Sequence, residues 1–277
     1  MNTEELQAKK GRREPIVVLT CYDSPTAAWQ EAAGVDVVFC ADSVGTNLLG
    51  YDDERQVTMD DMIHHLKAVR RGLRGGAYLL ADLPYGSADT PGEALDNSLR
   101  FTALGADGVK LEGFKPEVVT ALGERGLDVW CHLGLNPQIH EAPRIQARTA
   151  RAAALLVERA LRLQEAGAAF LVLELIPEEV GRAVTERLDI PTIGIAAGRY
   201  TDGQVLVVTD VLGVHEFDLR HVRRYGEFAR QGTRGIAAYV DDVRQRRFPA
   251  AGQGWRMKEA EAAEFDRWLS GHPPEDR

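Results

Sequence analysis

The chain has 277 residues, of which 44% are hydrophobic and 27% charged, enough for one large core and a polar surface. A formal net charge of −9 argues against nucleic-acid binding, which requires a basic surface. No apolar run approaches the roughly 18 residues needed to span a bilayer, and the amino terminus lacks the apolar stretch of a secretory signal. We therefore expect a cytoplasmic protein with neither nucleic-acid nor membrane partners.

Eight short apolar runs recur along the chain, separated by helical patterns. Their continuous Val, Ile and Leu content is typical of parallel strands covered on both faces. Thr58 and Thr90 are expected to cap the helices that follow two of the runs, with Pro91 at a first helical position. The predicted strands are 15–21, 35–41, 77–81, 107–112, 127–132, 168–174, 190–196 and 204–208.

This alternation predicts an α/β fold, a single (β/α)8 TIM barrel over residues 1–249. A doubly wound open sheet is the alternative. Residues 250–277 differ in composition and are interpreted as a linker, one amphipathic helix and a polar end. The three scattered cysteines, Cys21, Cys40 and Cys131, each lie in an apolar run, so we expect buried free thiols and a reducing compartment.

Five of the predicted strands end on, or are followed by, an ionisable residue. In a barrel the carboxyl ends of the strands share one mouth, which carries the active site. Carboxylates gathered there must be protonated or neutralised by a cation, and their oxygen atoms favour Mg²⁺. The residues are Asp42, Asp82, Glu112, His132 and Glu174.

Each of these residues also has a structural interpretation. An Asp at a strand end is commonly a helix N-cap. Lys110 lies two positions before Glu112 and therefore on the same side of the strand, where it is either a salt-bridge partner or a functional group. His132 is either a core histidine or part of the site.

Several stretches resemble the ketopantoate hydroxymethyltransferase (3-methyl-2-oxobutanoate hydroxymethyltransferase) family, a group of barrels related to phosphoenolpyruvate mutase and isocitrate lyase. The similarity extends over about residues 15–249. The stretches, in chain order, are LTCYDSPTA, ADSVGTNLLGYDD, LLADLPYGS, GADGVKLEG, CHLGLNPQ, EAGAAFLVLELIP and IPTIGIAAG.

The resemblance implies transfer of a hydroxymethyl group from 5,10-methylenetetrahydrofolate to 3-methyl-2-oxobutanoate. The product is 2-dehydropantoate, formed through a Mg-stabilised enolate in pantothenate biosynthesis. It further implies a homodecamer.

The same resemblance assigns roles to particular residues. Asp42 and Asp82 hold Mg²⁺, to which the oxo acid binds, and Glu112 supports the metal. Ser43, Lys110 and His132 contact the oxo acid, and Glu174 is the catalytic base. Glu174 ends an apolar run, so we expect its carboxylate to be desolvated.

Some segments depart from the family pattern. Residues 139–151, IHEAPRIQARTAR, lack the usual glycine-rich motif, and Thr209 occupies the position before Asp210 where a histidine is common. The altered 139–151 segment favours one alternative, a paralogue performing Mg-dependent aldol or lyase chemistry on a different 2-oxo acid. A barrel retained as a binding or scaffolding subunit is a further alternative, against which the intact Asp42, Asp82, Glu112 and Glu174 count.

Overall fold

The computed structural model describes residues 1–138, 144–215 and 219–272. Eight parallel strands close into a barrel in chain order, with β1 paired to both β2 and β8. The predicted (β/α)8 barrel is confirmed, and the open-sheet alternative is wrong. The strands are β1 Ile16–Thr20, β2 Val37–Cys40, β3 Tyr78–Asp82, β4 Gly108–Glu112, β5 Asp128–Gly134, β6 Phe170–Glu174, β7 Thr192–Ile195 and β8 Gly203–Leu206.

Helices alternate with the strands, and the predicted caps are present. Thr58 and Thr90 accept hydrogen bonds from the third residue of the following helices, one of which begins at Pro91. A π-helical turn (Gly45–Leu49) and a 3-10 turn (Glu54–Gln56) follow β2. The helices are α1 Thr3–Arg12, α2 Ser24–Ala32, α3 Met59–Gly72, α4 Pro91–Thr102, α5 Pro116–Gly123, α6 Ala150–Glu165, α7 Glu178–Thr185, α8 Val208–Leu212, α9 Phe228–Arg244 and α10 Glu259–Gly271.

The strand register places polar side chains above an aromatic layer inside the barrel. Asp82 is in register with Lys110, and Glu112 with His132. Trp130, two residues before His132, stacks on Phe170 with ring centroids 4.0 Å apart. Because residues two apart in a strand point to the same side, the aromatic rings lie in a layer beneath the charged groups.

Helix α1 is anchored at the amino ends of the strands. Leu6 is fully buried in the core. Nζ of Lys9 lies 2.6 Å from Oδ1 of Asp36, and Nζ of Lys10 lies 2.8 Å from Oδ2 of Asp202. These aspartates precede β2 and β8, so α1 leaves the carboxyl ends of the strands accessible.

The chain divides into two compact units, residues 1–226 and 227–277. The second contains α9 and α10, neither of which has a buried residue; α10 is the helix expected within residues 250–277. The domain boundary at residue 249 stays a prediction. Within the described ranges, the structure has no helix both long and apolar enough to cross a membrane.

Candidate active site

A cavity of about 330 Å³ opens at the carboxyl ends of the strands. Side chains from all eight strands or from the segments that follow them line it. All seven residues predicted for the site line it: Asp42, Ser43, Asp82, Lys110, Glu112, His132 and Glu174.

Lys110 is a buried cation at the bottom of the cavity. With the carboxylates of Asp82 and Glu112 it forms what we call the charged floor. Its Nζ donates to Oδ2 of Asp82 and to Oε1 of Glu112, both at 3.0 Å, and lies over the Phe39 ring. Burial alone would lower the pKa of Lys110, but the carboxylates of Asp82, Glu112 and Asp42 outweigh it and raise the pKa. Lys110 therefore remains charged, and the salt bridge predicted with Glu112 is present.

His132 lies between two carboxylates. Nδ1 is 3.3 Å from Oε1 of Glu112, and Nε2 is 3.3 Å from Oε2 of Glu174. Burial favours the neutral imidazole, but these two carboxylates raise the pKa of His132 to about 9. Strand β5 continues to Gly134, so His132 lies within the strand and not at its end as predicted.

Glu112 is fully engaged by protein groups. Besides Lys110 and His132 at Oε1, the backbone N–H of Gln138 donates to Oε2 at 3.2 Å. Burial would raise the pKa of this carboxyl, but the charges of Lys110 and His132 hold it well below its usual range. The two oxygens of Glu112 therefore hold the side chains of Lys110 and His132 and the backbone of Gln138 in place.

Asp42 and Asp82 lie side by side and are strongly desolvated. The backbone N–H of Asp42 is 3.5 Å from Oδ2 of Asp82, while Oδ1 of Asp82 is buried without a hydrogen-bond partner among the described residues. Burial raises the pKa of both carboxyls, with Lys110 offsetting part of the effect. This pair therefore retains capacity for a cation.

Ser43 and Glu174 lie on the cavity wall. The Ser43 hydroxyl is 2.9 Å from the hydroxyl of Tyr22. The Glu174 side chain is 20% exposed, so it is less desolvated than expected from its sequence context. Both groups can reach a molecule held in the cavity.

Sequence reasoning missed further polar groups, among them Gln138 beside the cavity and Asp210 on its wall. Nε2 of Gln138 donates to Oδ2 of Asp42 at 2.6 Å, which fixes the orientation of that carboxylate. Gln138 stands in the CHLGLNPQ stretch, which could have drawn attention to it. Asp210, noted only for its unusual neighbour Thr209, also lines the cavity.

The residues present fit a magnesium ion. Within the described ranges, no three His, Cys, Asp or Glu side chains are grouped to hold a metal by themselves. Mg²⁺ commonly takes one or two protein carboxylates and completes its shell with water and substrate oxygens. The unpaired Oδ1 of Asp82 and the adjacent Asp42 provide such a donor pair.

The barrel opens at the carboxyl ends of its strands into an acidic cavity, an arrangement typical of (β/α)8-barrel enzymes. Solved structures of similar fold include phosphonopyruvate hydrolase in complex with oxalate and Mg++, with a TM-score of 0.59 and 12% identity, over 98% of this chain and 99% of that one. Another is 2,3-dimethylmalate lyase, described as a PEP mutase/isocitrate lyase superfamily member, with a TM-score of 0.54 and 15% identity, over 97% and 99%. These similarities establish the fold.

Sequence comparison identifies the family. The ketopantoate hydroxymethyltransferase family model matches residues 1–251. A 3-methyl-2-oxobutanoate hydroxymethyltransferase of Roseiflexus sp. (strain RS-1) is 45% identical over 273 residues, covering 96% of this chain and 98% of that protein. One from Deinococcus radiodurans is 43% identical over 254 residues, covering 88% and 89%. The chain belongs to the ketopantoate hydroxymethyltransferase family, as its motifs predicted.

Proposed function

We propose that this protein transfers a hydroxymethyl group from 5,10-methylenetetrahydrofolate to 3-methyl-2-oxobutanoate, giving 2-dehydropantoate. Membership of the family supports the reaction. The observation that carries the proposal is the cavity that Glu174 shares with the buried Asp42–Asp82 pair. Contacts through His132, Glu112 and Lys110 connect Glu174 to Asp82.

Asp42 and Asp82 are the proposed metal-binding residues. Mg²⁺ would supply positive charge beside the keto oxygen of the oxo acid, where negative charge develops when the C3 proton leaves. Gln138 holds Oδ2 of Asp42 by a 2.6 Å hydrogen bond, which fixes one side of the pair. The engaged oxygens of Glu112 give that residue a supporting role beside the metal.

Glu174 is the proposed general base. Its carboxylate lines the cavity and takes the proton from C3 of the oxo acid. Water adds to the one-carbon unit as its C–N bonds to the folate break, which gives formaldehyde and tetrahydrofolate. C3 then bonds to the formaldehyde carbon, and the formaldehyde oxygen takes up a proton to become the new hydroxyl group. His132 lies 3.3 Å from both Glu174 and Glu112, and so orients the base relative to the charged floor.

Lys110 and Ser43 are the proposed binding groups for the oxo acid. The ammonium of Lys110 is held between Asp82 and Glu112, so its position is fixed before the substrate arrives. The Ser43 hydroxyl, in contact with Tyr22, offers a neutral hydrogen-bond donor on the same side as Asp42. His132 completes this set.

The proposal is tested in two stages. First, the protein is incubated with Mg²⁺ and 3-methyl-2-oxobutanoate in D₂O, and loss of the C3 proton signal is followed by NMR. Second, methylenetetrahydrofolate is added and 2-dehydropantoate is measured. Exchange without this product would favour the paralogue acting on another 2-oxo acid; no exchange and no product would favour a non-catalytic barrel.

A cytoplasmic homodecamer is retained as part of the proposal, on the family resemblance alone. Sedimentation velocity measures the oligomeric state directly.

Of the altered segment 139–151, residues 139–143 lie outside the described residues, and the remainder leads into α6 through the N-cap Thr149. Growth of a pantothenate auxotroph expressing the chain tests the pathway assignment.

A further inference from the structure

Asp210 is a buried acceptor that the proposed chemistry leaves unused. It lies in α8, directly after β8, and lines the same cavity as the charged floor. The residue is only 9% exposed, and its Oδ1 has no hydrogen-bond partner among the described residues. Because an unsatisfied buried acceptor is costly, a native one indicates a missing partner.

Groups other than the Asp210 carboxylate attach α8 to the barrel. The backbone N–H of Val208 donates to Oγ1 of Thr20 at 3.0 Å, and Oγ1 of Thr209 donates to Oδ1 of Asn47 at 2.8 Å. These two bonds attach the helix to β1 and to the turn after β2. The side chain of Asp210 is therefore available to a ligand.

Nearby basic residues do not supply the missing donor. Burial raises the pKa of Asp210, and attraction from His215, His221 and Arg224 offsets part of this effect. Oδ1 nevertheless lacks a hydrogen bond from any of the three. A purely structural ion pair therefore does not account for this oxygen.

The cavity wall around Asp210 differs from the charged floor. The strands β7 and β8 and their ends contribute apolar side chains. Besides Asp210 and His221, the charged and titratable groups come from β3 to β6 and the segment after β2. The apolar wall is formed by Ile195, Ala196, Val205, Leu206 and Val207. A flat ring with apolar faces and N–H groups on one edge suits this wall, with the N–H edge turned to the carboxylate.

We propose that Asp210 binds the ring of the one-carbon donor, accepting hydrogen bonds from the ring N–H and exocyclic amino group of a reduced pterin. The inference rests on the proposed function, because that function supplies such a ring as the second substrate. Two adjacent N–H groups can donate to one carboxylate at the same time, and hydrogen bonds to an ionised group are stronger than those between neutral groups.

The test is Asp210→Asn, which keeps the shape of the side chain but removes one acceptor and adds an opposing N–H₂ group. The KM for methylenetetrahydrofolate should rise roughly 10- to 100-fold, the effect of losing hydrogen bonds to a charged group. Proton exchange of the oxo acid in D₂O, which needs no folate, should stay close to the wild-type rate. Asp60→Asn, the same change on an exposed side chain of α3, should alter neither.

A binding measurement makes the test specific. Wild type should bind tetrahydrofolate more tightly than its 2-desamino analogue, and Asp210→Asn, which keeps a single neutral acceptor, should discriminate less between them than wild type does, because the two changes weaken the same interaction. An unchanged KM, discrimination in the variant as large as in wild type, or loss of exchange together with folate binding would each overturn the inference. Failure of the proposed function itself would appear in the wild type, as no product with the standard substrate pair.

Discussion

Nζ of Lys110 lies 3.0 Å from Oδ2 of Asp82, and both side chains are almost entirely buried. The same ammonium neutralises Glu112. Replacing Lys110 by Met would leave these carboxylates without their cation in a dry site. We expect Lys110→Met to lower the free energy of unfolding by about 3–5 kcal/mol, measured by urea denaturation without added metal.

A surface lysine provides the control. Lys115 lies 3.2 Å from Asp89, but its side chain is 29% exposed and that of its partner 65%. Lys115→Met should cost no more than about 1 kcal/mol, because water screens an exposed pair. Equal losses for the two variants would show that Lys110 does not stabilise the floor through its charge.

Removing the proposed base should abolish proton transfer while leaving the fold intact. Glu174→Gln retains the size of the side chain but cannot take the C3 proton. The rate of C3 exchange in D₂O should fall by about 10²- to 10⁴-fold. Glu179→Gln, on the exposed side of α7, is the matched control and should exchange at the wild-type rate. A Glu174→Gln enzyme with normal exchange would remove this residue from the mechanism.

Metal affinity tests the Asp42 assignment separately. We choose Asp42 because a substitution of Asp82 would also break its ion pair with Lys110, and the effect on Mg²⁺ binding would not be separable from the loss of that pair. We expect Asp42→Asn to weaken Mg²⁺ binding on the order of 10-fold or more, measured by isothermal titration calorimetry with the oxo acid present. Asp89→Asn, at an exposed position, should bind Mg²⁺ as wild type does. Unchanged affinity in Asp42→Asn would exclude a ligand role.

The three thiols should be unreactive in the folded protein. All three cysteines are free and buried, as predicted. Burial raises the pKa of the Cys21 thiol to about 12 and those of Cys40 and Cys131 well above their usual value. Since the thiolate is the reactive form, iodoacetamide at pH 8 should modify none of them until urea is added, when all three should react. Mass spectrometry counts the labels.

The barrel could be predicted because its signal is local. Each strand overlaps one of the predicted apolar runs, with ends that differ by up to two residues, and the runs alternate with helical patterns. The strand ends then define the mouth, which is why the sequence alone predicts Asp42, Asp82 and Glu174 there.

Contacts between distant loops could not be predicted in the same way. Gln138 reaches Asp42 across 96 residues of sequence, and no periodicity records such a contact. The contact of His132 with Oε1 of Glu112 likewise depends on the register of β4 with β5, which sets the two residues side by side. The free oxygen of Asp210 is visible only once the surrounding donors are placed.

Gly134 ends β5 against the proposed base, so adding a side chain there should disturb catalysis. A Cβ at this position would lie 2.1 Å from the carbonyl oxygen of Glu174, and Gly134 has a φ of +103°. Gly126 also has positive φ, +72°, but open space around it. Gly126→Ala should therefore show only the backbone cost, about 1–2 kcal/mol. Gly134→Ala should lose more stability and also slow C3 exchange, because β6 must shift. Equal unfolding curves with normal exchange in both variants would contradict this coupling.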